Sequence, residues 1–318
     1  MTSKNIFVIG GSGFLSGAIV KAALHAGNSV YVVTRGQRPV AEGTRALVAD
    51  RHDAKAFAAA VDEGLRAAGG RFDLVVDAIP FSPDDARQDV ELFRGKTDRL
   101  VFVSTDFVYD PLRRRFPQTE DDAVYYLHGY GGGKRKAEEV LLAAGSNDLP
   151  WVVVRPGHIY GPGSQLGCLP PLGRDPGLIS RLREGMPVEL LGGGHFLQQP
   201  VFVGDLVRVI LELGDAPPDP TVGSIMNVAG PEIIESVAYY RIIAEALSVE
   251  LKISEVPVAA YARDNPDKAS FICHRFYDLS RLAATGVQLP STSLADGLRT
   301  HVQALQRSTG QSEPGWPL

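Results

Sequence analysis

Cysteine is nearly absent: Cys168 and Cys273 are the two in 318 residues. Their spacing fits neither a metal-ligand pair nor a disulfide framework, and both are expected as buried, neutral thiols in a reducing cytoplasm. Long apolar runs are missing as well. Nothing approaches the about 18 residues that a bilayer span needs, and the run from Ile6 to Ile9 is too short for a signal peptide. Positive charge is not in excess either. A net charge of −5 offers no general field for nucleic acid or an anionic membrane, so neither is expected as a partner. No His, Cys and Asp grouping has metal-ligand spacing, so no metal is expected. What is left, 44% hydrophobic and 22% charged, is an ordinary soluble composition, long enough for a large domain and a smaller one. A cytoplasmic protein acting on a small molecule is the expectation.

Strand and helix patterns alternate through the first half, the mark of a parallel sheet covered on both faces. Strands are predicted at Ile6 to Ile9, Val30 to Val33, Ala46 to Val48, Leu74 to Val76, Leu100 to Val103 and Trp151 to Val154. Helices are predicted from Phe14 to His25 and from Asp53, placed as a cap, to Ala68. Beyond Arg155, proline and glycine accumulate from Pro156 to Gly177, and Gly192-Gly193-Gly194 follows, as in a lid or substrate-binding region. The segment from Phe202 to Leu213 and a strand from Ser224 to Val228 read as later additions to the first domain. The tail from Ser308 is expected to fray.

The first strand runs into Gly10-Gly11-Ser12-Gly13 and then a helix, an arrangement that lets backbone N–H groups meet a pyrophosphate at the helix N-terminus. Gly10 and Gly13 supply the turn and the close approach. Ser16 stands where a third glycine is usual and is small enough to keep helix and strand together. Ser12, Phe14 and Leu15 complete the expected contacts. The second strand ends Val33-Thr34-Arg35-Gly36-Gln37-Arg38, with no carboxylate for ribose hydroxyls. Arg35 and Arg38 are expected to fork onto the 2′-phosphate of NADP, with NAD as the alternative; as solvated loop cations they would do neither. Asp50 is expected near the adenine, or as a helix-capping residue.

Tyr130 and Lys134 stand four apart in Tyr130-Gly131-Gly132-Gly133-Lys134, so on a helix they share a face. A phenol titrates near about 10, too high for a base at neutral pH; a nearby ammonium and a cationic nicotinamide are expected to lower it. Lys134 would also bind the nicotinamide ribose. Thr105, at the end of a buried strand, can donate to a substrate oxygen and polarise it for hydride transfer.

With these residues, the chain resembles the extended branch of the short-chain dehydrogenase/reductase superfamily, the epimerase/dehydratase group that often acts on nucleotide sugars. The likeness includes the glycine loop, Ser104-Thr105 before Val108-Tyr109, and Tyr130-Gly131-x-x-Lys134. It continues through Arg155-Pro156-Gly157-His158-Ile159-Tyr160-Gly161-Pro162-Gly163, Phe202-Val203-Gly204-Asp205-Leu206 and Asn227-Val228-Ala229-Gly230. The resemblance implies an α/β fold. A Rossmann-type doubly wound parallel sheet would occupy residues 1–165, with later contributions from about 200–230, and a smaller C-terminal α/β substrate domain would occupy 166–318. It implies Thr-Tyr-Lys roles for Thr105, Tyr130 and Lys134, cofactor contacts from Pro156 and His158, a diphosphate clamp from Arg275, and a homodimer paired through helices.

Two departures matter. The family's sugar-nucleotide dehydratases carry Asp-Glu after the catalytic Thr, whereas here Asp106-Phe107 follows Thr105, which removes the base expected for elimination. Ala78-Ile79-Pro80 replaces the usual small-residue turn over the cofactor. Asp106, Phe107 and His195 are expected to touch substrate, and His25, His52, His128 and His301 to lie at the surface or at caps. Three functions fit: a reductase or dehydrogenase using NADP(H) on a sugar-like substrate, an epimerase that keeps its cofactor, and a non-catalytic cofactor sensor or RNA-associated protein.

Overall fold

The computed structural model describes residues 3–170 and 173–308. Seven parallel strands form the central sheet: β1 (Asn5–Ile9), β2 (Ser29–Thr34), β3 (Arg45–Val48), β4 (Leu74–Asp77), β5 (Leu100–Val103), β6 (Trp151–Pro156) and β7 (Ser224–Val228). Their spatial order is β7-β6-β5-β4-β1-β2-β3, so the chain winds outward one way from β1 and then the other. Ligands in such sheets sit beyond the carboxyl ends of the strands at that reversal.

Because successive strand residues point to opposite faces, the near-continuous β-branched runs make two cores at once. Ile6, Val8, Val30, Val32, Val101 and Val103 face one layer, which holds α1 (Phe14–His25) and α5 (Val203–Leu213). Phe7, Ile9, Tyr31, Val33, Phe102 and Val153 face the other, which holds α2 (Ala54–Ala67), α3 (Pro83–Phe93) and α4 (Gly129–Ala144). Phe7, Phe72 and Phe93 interlock there, with ring centroids of Phe7 4.8 Å from Phe72 and 5.5 Å from Phe93. Truncating one such ring to alanine costs about 3–5 kcal/mol.

Asp53 caps α2, its side chain accepting from Ala56 N–H at 3.0 Å. Helix α3 has a weak apolar period, rich as it is in Asp84, Asp85 and Asp89. Its readable signal is a capping box, in which Ser82 and Asp85 satisfy each other's backbone N–H.

A third core gathers Leu178, Leu182, Val188 and Leu190 with residues of α6 (Ser236–Leu247) and α7 (Leu294–Ser308). His301 on α7, expected at the surface, is instead fully buried; its Nε2 pairs with the Ser164 carbonyl at 2.8 Å. The tail beyond residue 308 lies outside the described residues. Among the described residues no helix is long and apolar enough to cross a membrane, and no cluster of His, Cys, Asp and Glu could hold a metal ion.

Candidate active site

A cleft of about 330 Å³ opens at the carboxyl ends of β1 and β2, lined by Gly10, Ser12, Gly13, Arg35, Arg38 and Asp50. Gly10 and Gly11 both have left-handed backbones, φ 112° and 83°. The tightest approach falls on Gly11 rather than on Gly10 or Gly13: a β-carbon there would stand 2.2 Å from Val32 Cγ1. Gly13 has an ordinary negative φ and donates its N–H to Ser16 Oγ at 3.0 Å, which makes Ser16 the internal cap of α1. Phe14 and Leu15 stand on the first turn of α1, outside the cleft lining. Arg35 and Arg38 are exposed at the end of β2, where the Thr34 hydroxyl accepts from Gly36 N–H at 2.9 Å. Asp50 accepts from His52 N–H at 3.0 Å while also lining the cleft. This donor set, backbone amides at one end and two guanidiniums at the other, fits the phosphates of a dinucleotide.

In the wall of the cleft, which Arg51 and Asp85 help to line, lies an ion-pair hub that the strand and helix patterns do not reveal. Buried Arg51 contacts Asp77 at 2.8 Å, Asp85 at 3.0 Å and Asp89 at 3.2 Å. Burial, with the neighbouring Asp77 carboxylate, pushes Asp89 well above the usual carboxylate range. Three carboxylates on one guanidinium are tolerable when one holds its proton. Arg51 thereby ties the end of β4 to the start of α3, beneath Ile79 and Phe81.

Tyr130 lies in the first turn of α4, whose glycines let the helix press against neighbouring backbone. A β-carbon on Gly132 would stand 2.3 Å from the Leu127 carbonyl carbon. The Tyr130 side chain lies beside Thr105, and its residue surface is 51% exposed, open to a substrate. Phe81 and Phe107 stand 6.3 and 6.1 Å from the Tyr130 ring, centroid to centroid, and give it an aromatic surround.

Lys134 is buried, and its ammonium donates to the carbonyls of Pro80 at 2.9 Å and Val103 at 2.6 Å. Desolvation lowers it to about 8. The expected lowering of the Tyr130 phenol is not found in the cofactor-free protein. Partial desolvation raises it, against the neighbouring Thr105 hydroxyl, which pulls the other way.

Asp106, expected to touch substrate, is buried and held below the usual carboxylate range. Burial alone would raise it; the guanidiniums of Arg275 and Arg114 prevail, and Tyr277 O–H donates to it at 2.6 Å. Arg275, expected as a diphosphate clamp, is itself buried, bonded to Asp106 and to the Ser270 carbonyl. It stacks 4.3 Å over the Phe107 ring. It supports the floor of the site, and its guanidinium is not presented to the cleft. Phe107 and Phe271 meet edge to face at 5.4 Å.

His195 is not brought to this site. Its side chain is 71% exposed and pairs with Glu235 at 3.0 Å. Pro156 ends β6, buried beside Val228. His158 follows it and packs edge to face on Tyr239 at 6.2 Å. Desolvation and the nearby Arg174 lower His158 to about 4, so it is neutral at pH 7. Cys168 is buried and its thiol pushed up to about 12 by desolvation; Cys273 is buried too.

Four groups near the site were not legible in advance. Phe81 follows a proline in an unpatterned loop, and Arg51, Arg114 and Arg174 look in sequence like any surface arginine. The dense Asp84, Asp85 and Asp89 pattern after Pro83 was the one available hint that a buried cation was needed.

The family model for the NAD dependent epimerase/dehydratase family matches residues 6–229. The chain belongs to that family and is an NAD(P)-dependent enzyme of the short-chain dehydrogenase/reductase type. It is 27% identical over 270 residues to 2'-dehydrokanamycin reductase of Streptomyces kanamyceticus, covering 84% of this chain and 73% of that protein. It is 26% identical over 252 residues to the chloroplast stem-loop binding protein of 41 kDa b of Arabidopsis thaliana, covering 73% of this chain and 60% of that one. In fold it is similar to the UDP-N-acetylglucosamine 4-epimerase of Methanobrevibacter ruminantium M1, with TM-score 0.78, 18% identity, and 97% and 100% of the two chains covered.

Proposed function

We propose that this protein is an NADP(H)-dependent reductase of a ketone, acting reversibly on the matching secondary alcohol, on a sugar-like substrate. The observation that carries the reading is the placing of the half-exposed Tyr130 side chain beside Thr105 at the carboxyl end of β5, with Lys134 Nζ 5.9 Å over the Tyr130 ring. A nicotinamide bound in the cleft would supply the hydride. Thr105 and Tyr130 hold the substrate oxygen, and Tyr130 gives that oxygen its proton. Lys134 has three N–H donors; with two on the Pro80 and Val103 carbonyls, the third is available to a ribose hydroxyl. Arg35 and Arg38 select the 2′-phosphate.

Two observations favour reduction over the related chemistries. Elimination needs a base beside the catalytic Thr, and here Asp106 is spent on two guanidiniums while Phe107 is apolar. Epimerisation needs a cofactor that is kept, and two exposed arginines suit an exchangeable NADP(H) better. The similarity to a dehydro-aminoglycoside reductase points the same way. The similarity to a stem-loop binding protein supports the non-catalytic reading, which the net charge of −5 and the Thr105–Tyr130 pair oppose.

The test is to supply NADPH with a panel of keto-aminoglycosides and nucleotide ketosugars and follow cofactor oxidation. NADPH should be consumed one for one with ketone. Tyr130→Phe should lower turnover by about 10²–10⁴-fold with cofactor affinity nearly unchanged. Product formed with no net cofactor oxidation would move the assignment to an epimerase, and failure to bind either dinucleotide would overturn it.

A further inference from the structure

Residues Ala78 to Ser82 form the loop that joins β4 to α3, and this loop meets the proton-transfer residues at several points. The Pro80 carbonyl accepts from the Lys134 ammonium at 2.9 Å. The Phe81 ring centre lies 5.6 Å from the same nitrogen and 6.3 Å from the Tyr130 ring centre. The loop also approaches α4 beside Lys134, where a β-carbon on Gly133 would stand 3.0 Å from the Phe81 carbonyl oxygen. The other acceptor for the ammonium, the Val103 carbonyl at 2.6 Å, belongs to the central sheet and is fixed by it. The loop is the partner whose place must be set by other means. Phe81 is more than half exposed, and Pro80 has no N–H with which to anchor itself.

Two carboxylates do the anchoring. Asp77 Oδ1 accepts from Ile79 N–H at 2.9 Å. Asp85 Oδ2 accepts from Phe81 N–H at 2.8 Å and from Ser82 N–H at 2.9 Å. The other oxygen of each carboxylate faces Arg51, with Asp77 Oδ2 2.8 Å from Nη1 and Asp85 Oδ1 3.0 Å from Nε. The guanidinium also reaches the carbonyls of Ile79 at 3.4 Å and Asp85 at 3.1 Å. A planar fork with five donors holds two carboxylates in fixed directions at once. Arg51 is itself buried, and its carbonyl accepts from Gln88 Nε2 on α3 at 3.0 Å.

We propose that Arg51 is a positioning residue for Lys134. By holding Asp77 and Asp85 it fixes loop 78–82, and through the Pro80 carbonyl it sets where the ammonium stands, 5.9 Å over the Tyr130 ring. The use of that ammonium toward a ribose rests on the function proposed above; its placement does not.

The experiment is trace acetylation of the full chain with acetic anhydride at pH 8, without cofactor or substrate. Mass spectrometry of peptides compares Lys134 with its exposed neighbour Lys136. Buried and held on two carbonyls, Lys134 should react far more slowly than Lys136. Arg51→Gln and Asp85→Asn should each raise the Lys134 rate by about tenfold, the worth of one hydrogen bond of ordinary net strength, with Lys136 unchanged. Should Arg51→Gln fail to fold, because it strands three carboxylates, Asp85→Asn carries the test: it cuts an Arg51 contact and leaves an oxygen for the loop N–H groups. Arg99 is the control, a buried arginine at the amino end of β5 that donates to the carbonyls of Leu213 and Ala216. Arg99→Gln should leave Lys134 at the wild-type rate. An unchanged Lys134 rate in Asp85→Asn would overturn the proposal, and so would an equal rise in Arg99→Gln, the mark of general loosening. Because no substrate enters the experiment, a failed ketone assay would leave its outcome standing, and unchanged acetylation would leave the reductase assignment standing.

Discussion

The carbonyl oxygen of Phe107 lies 2.0 Å from the point where a β-carbon on Gly131 would stand. No side chain fits there, so α4 rests its first turn directly on the backbone that follows β5. That contact sets Tyr130 beside Thr105. Glycine inside a helix costs roughly 1 kcal/mol against alanine, and three in a row are tolerable here because the helix is held by packing on its later turns, through Ala137 and Leu141.

Gly131→Ala should therefore do what helix propensity alone would not. Instead of stabilising α4 it should cost about 2–4 kcal/mol, because backbone rather than a flexible side chain must move. Turnover should fall with it as Tyr130 leaves Thr105. Denaturant midpoints and kcat of the variant check this; a gain in stability would show that α4 does not need the close contact.

Arg35→Ala should weaken NADPH by about 10- to 100-fold, the loss of a charge-assisted pair to phosphate, while NADH binding stays close to wild type. Isothermal titration with both dinucleotides decides it. Equal losses for the two would place Arg35 on the pyrophosphate or on nothing specific.

Lys134 gives a pH signature in stability. Its folded value, about 8, lies below the ordinary lysine value of 10.5, so below pH 8 both states are charged and the full burial cost is present. Between about 8 and 10.5 the unfolded chain binds more protons, and stability must rise with pH. Relative to Lys134→Met, wild type should gain on the order of 3 kcal/mol across that window. Paired denaturation curves at several pH values measure the difference, and a constant offset would refute a lowered lysine.

Asp106→Asn should cost about 3–5 kcal/mol by stranding two buried guanidiniums. Asp106 is depressed in the folded state, so its contribution is whole above the ordinary carboxylate range and fades as pH falls through its folded value. The gap between wild type and Asp106→Asn should accordingly narrow in acid. If the gap stays open at low pH, the carboxylate is not the anion that the cluster needs.

The sequence by itself determined the parts whose cause is local. The β-branched runs of β1, β5 and β6 can bury both faces only inside a parallel sheet. The glycines after β1 mark a tight strand-to-helix turn, and a four-residue spacing puts Tyr130 and Lys134 on one helix face. The family likeness carried Thr105 to its place at the end of β5. Tertiary structure decided everything set by distance in space and by loss of water. Arg275 and Asp106 are 169 residues apart, and their pairing turned an expected substrate clamp into a support for the floor. Arg51 became a hub because β4 and α3 bring three carboxylates to it. His301 went inside because α7 closes over Ser164. Even the phenol and the lysine, adjacent on paper, answer to their surroundings: the fold desolvates the Lys134 ammonium and holds it on the carbonyls of Pro80 and Val103. Charge energies depend on the dielectric and the separation that folding creates, and a linear pattern of residues contains neither.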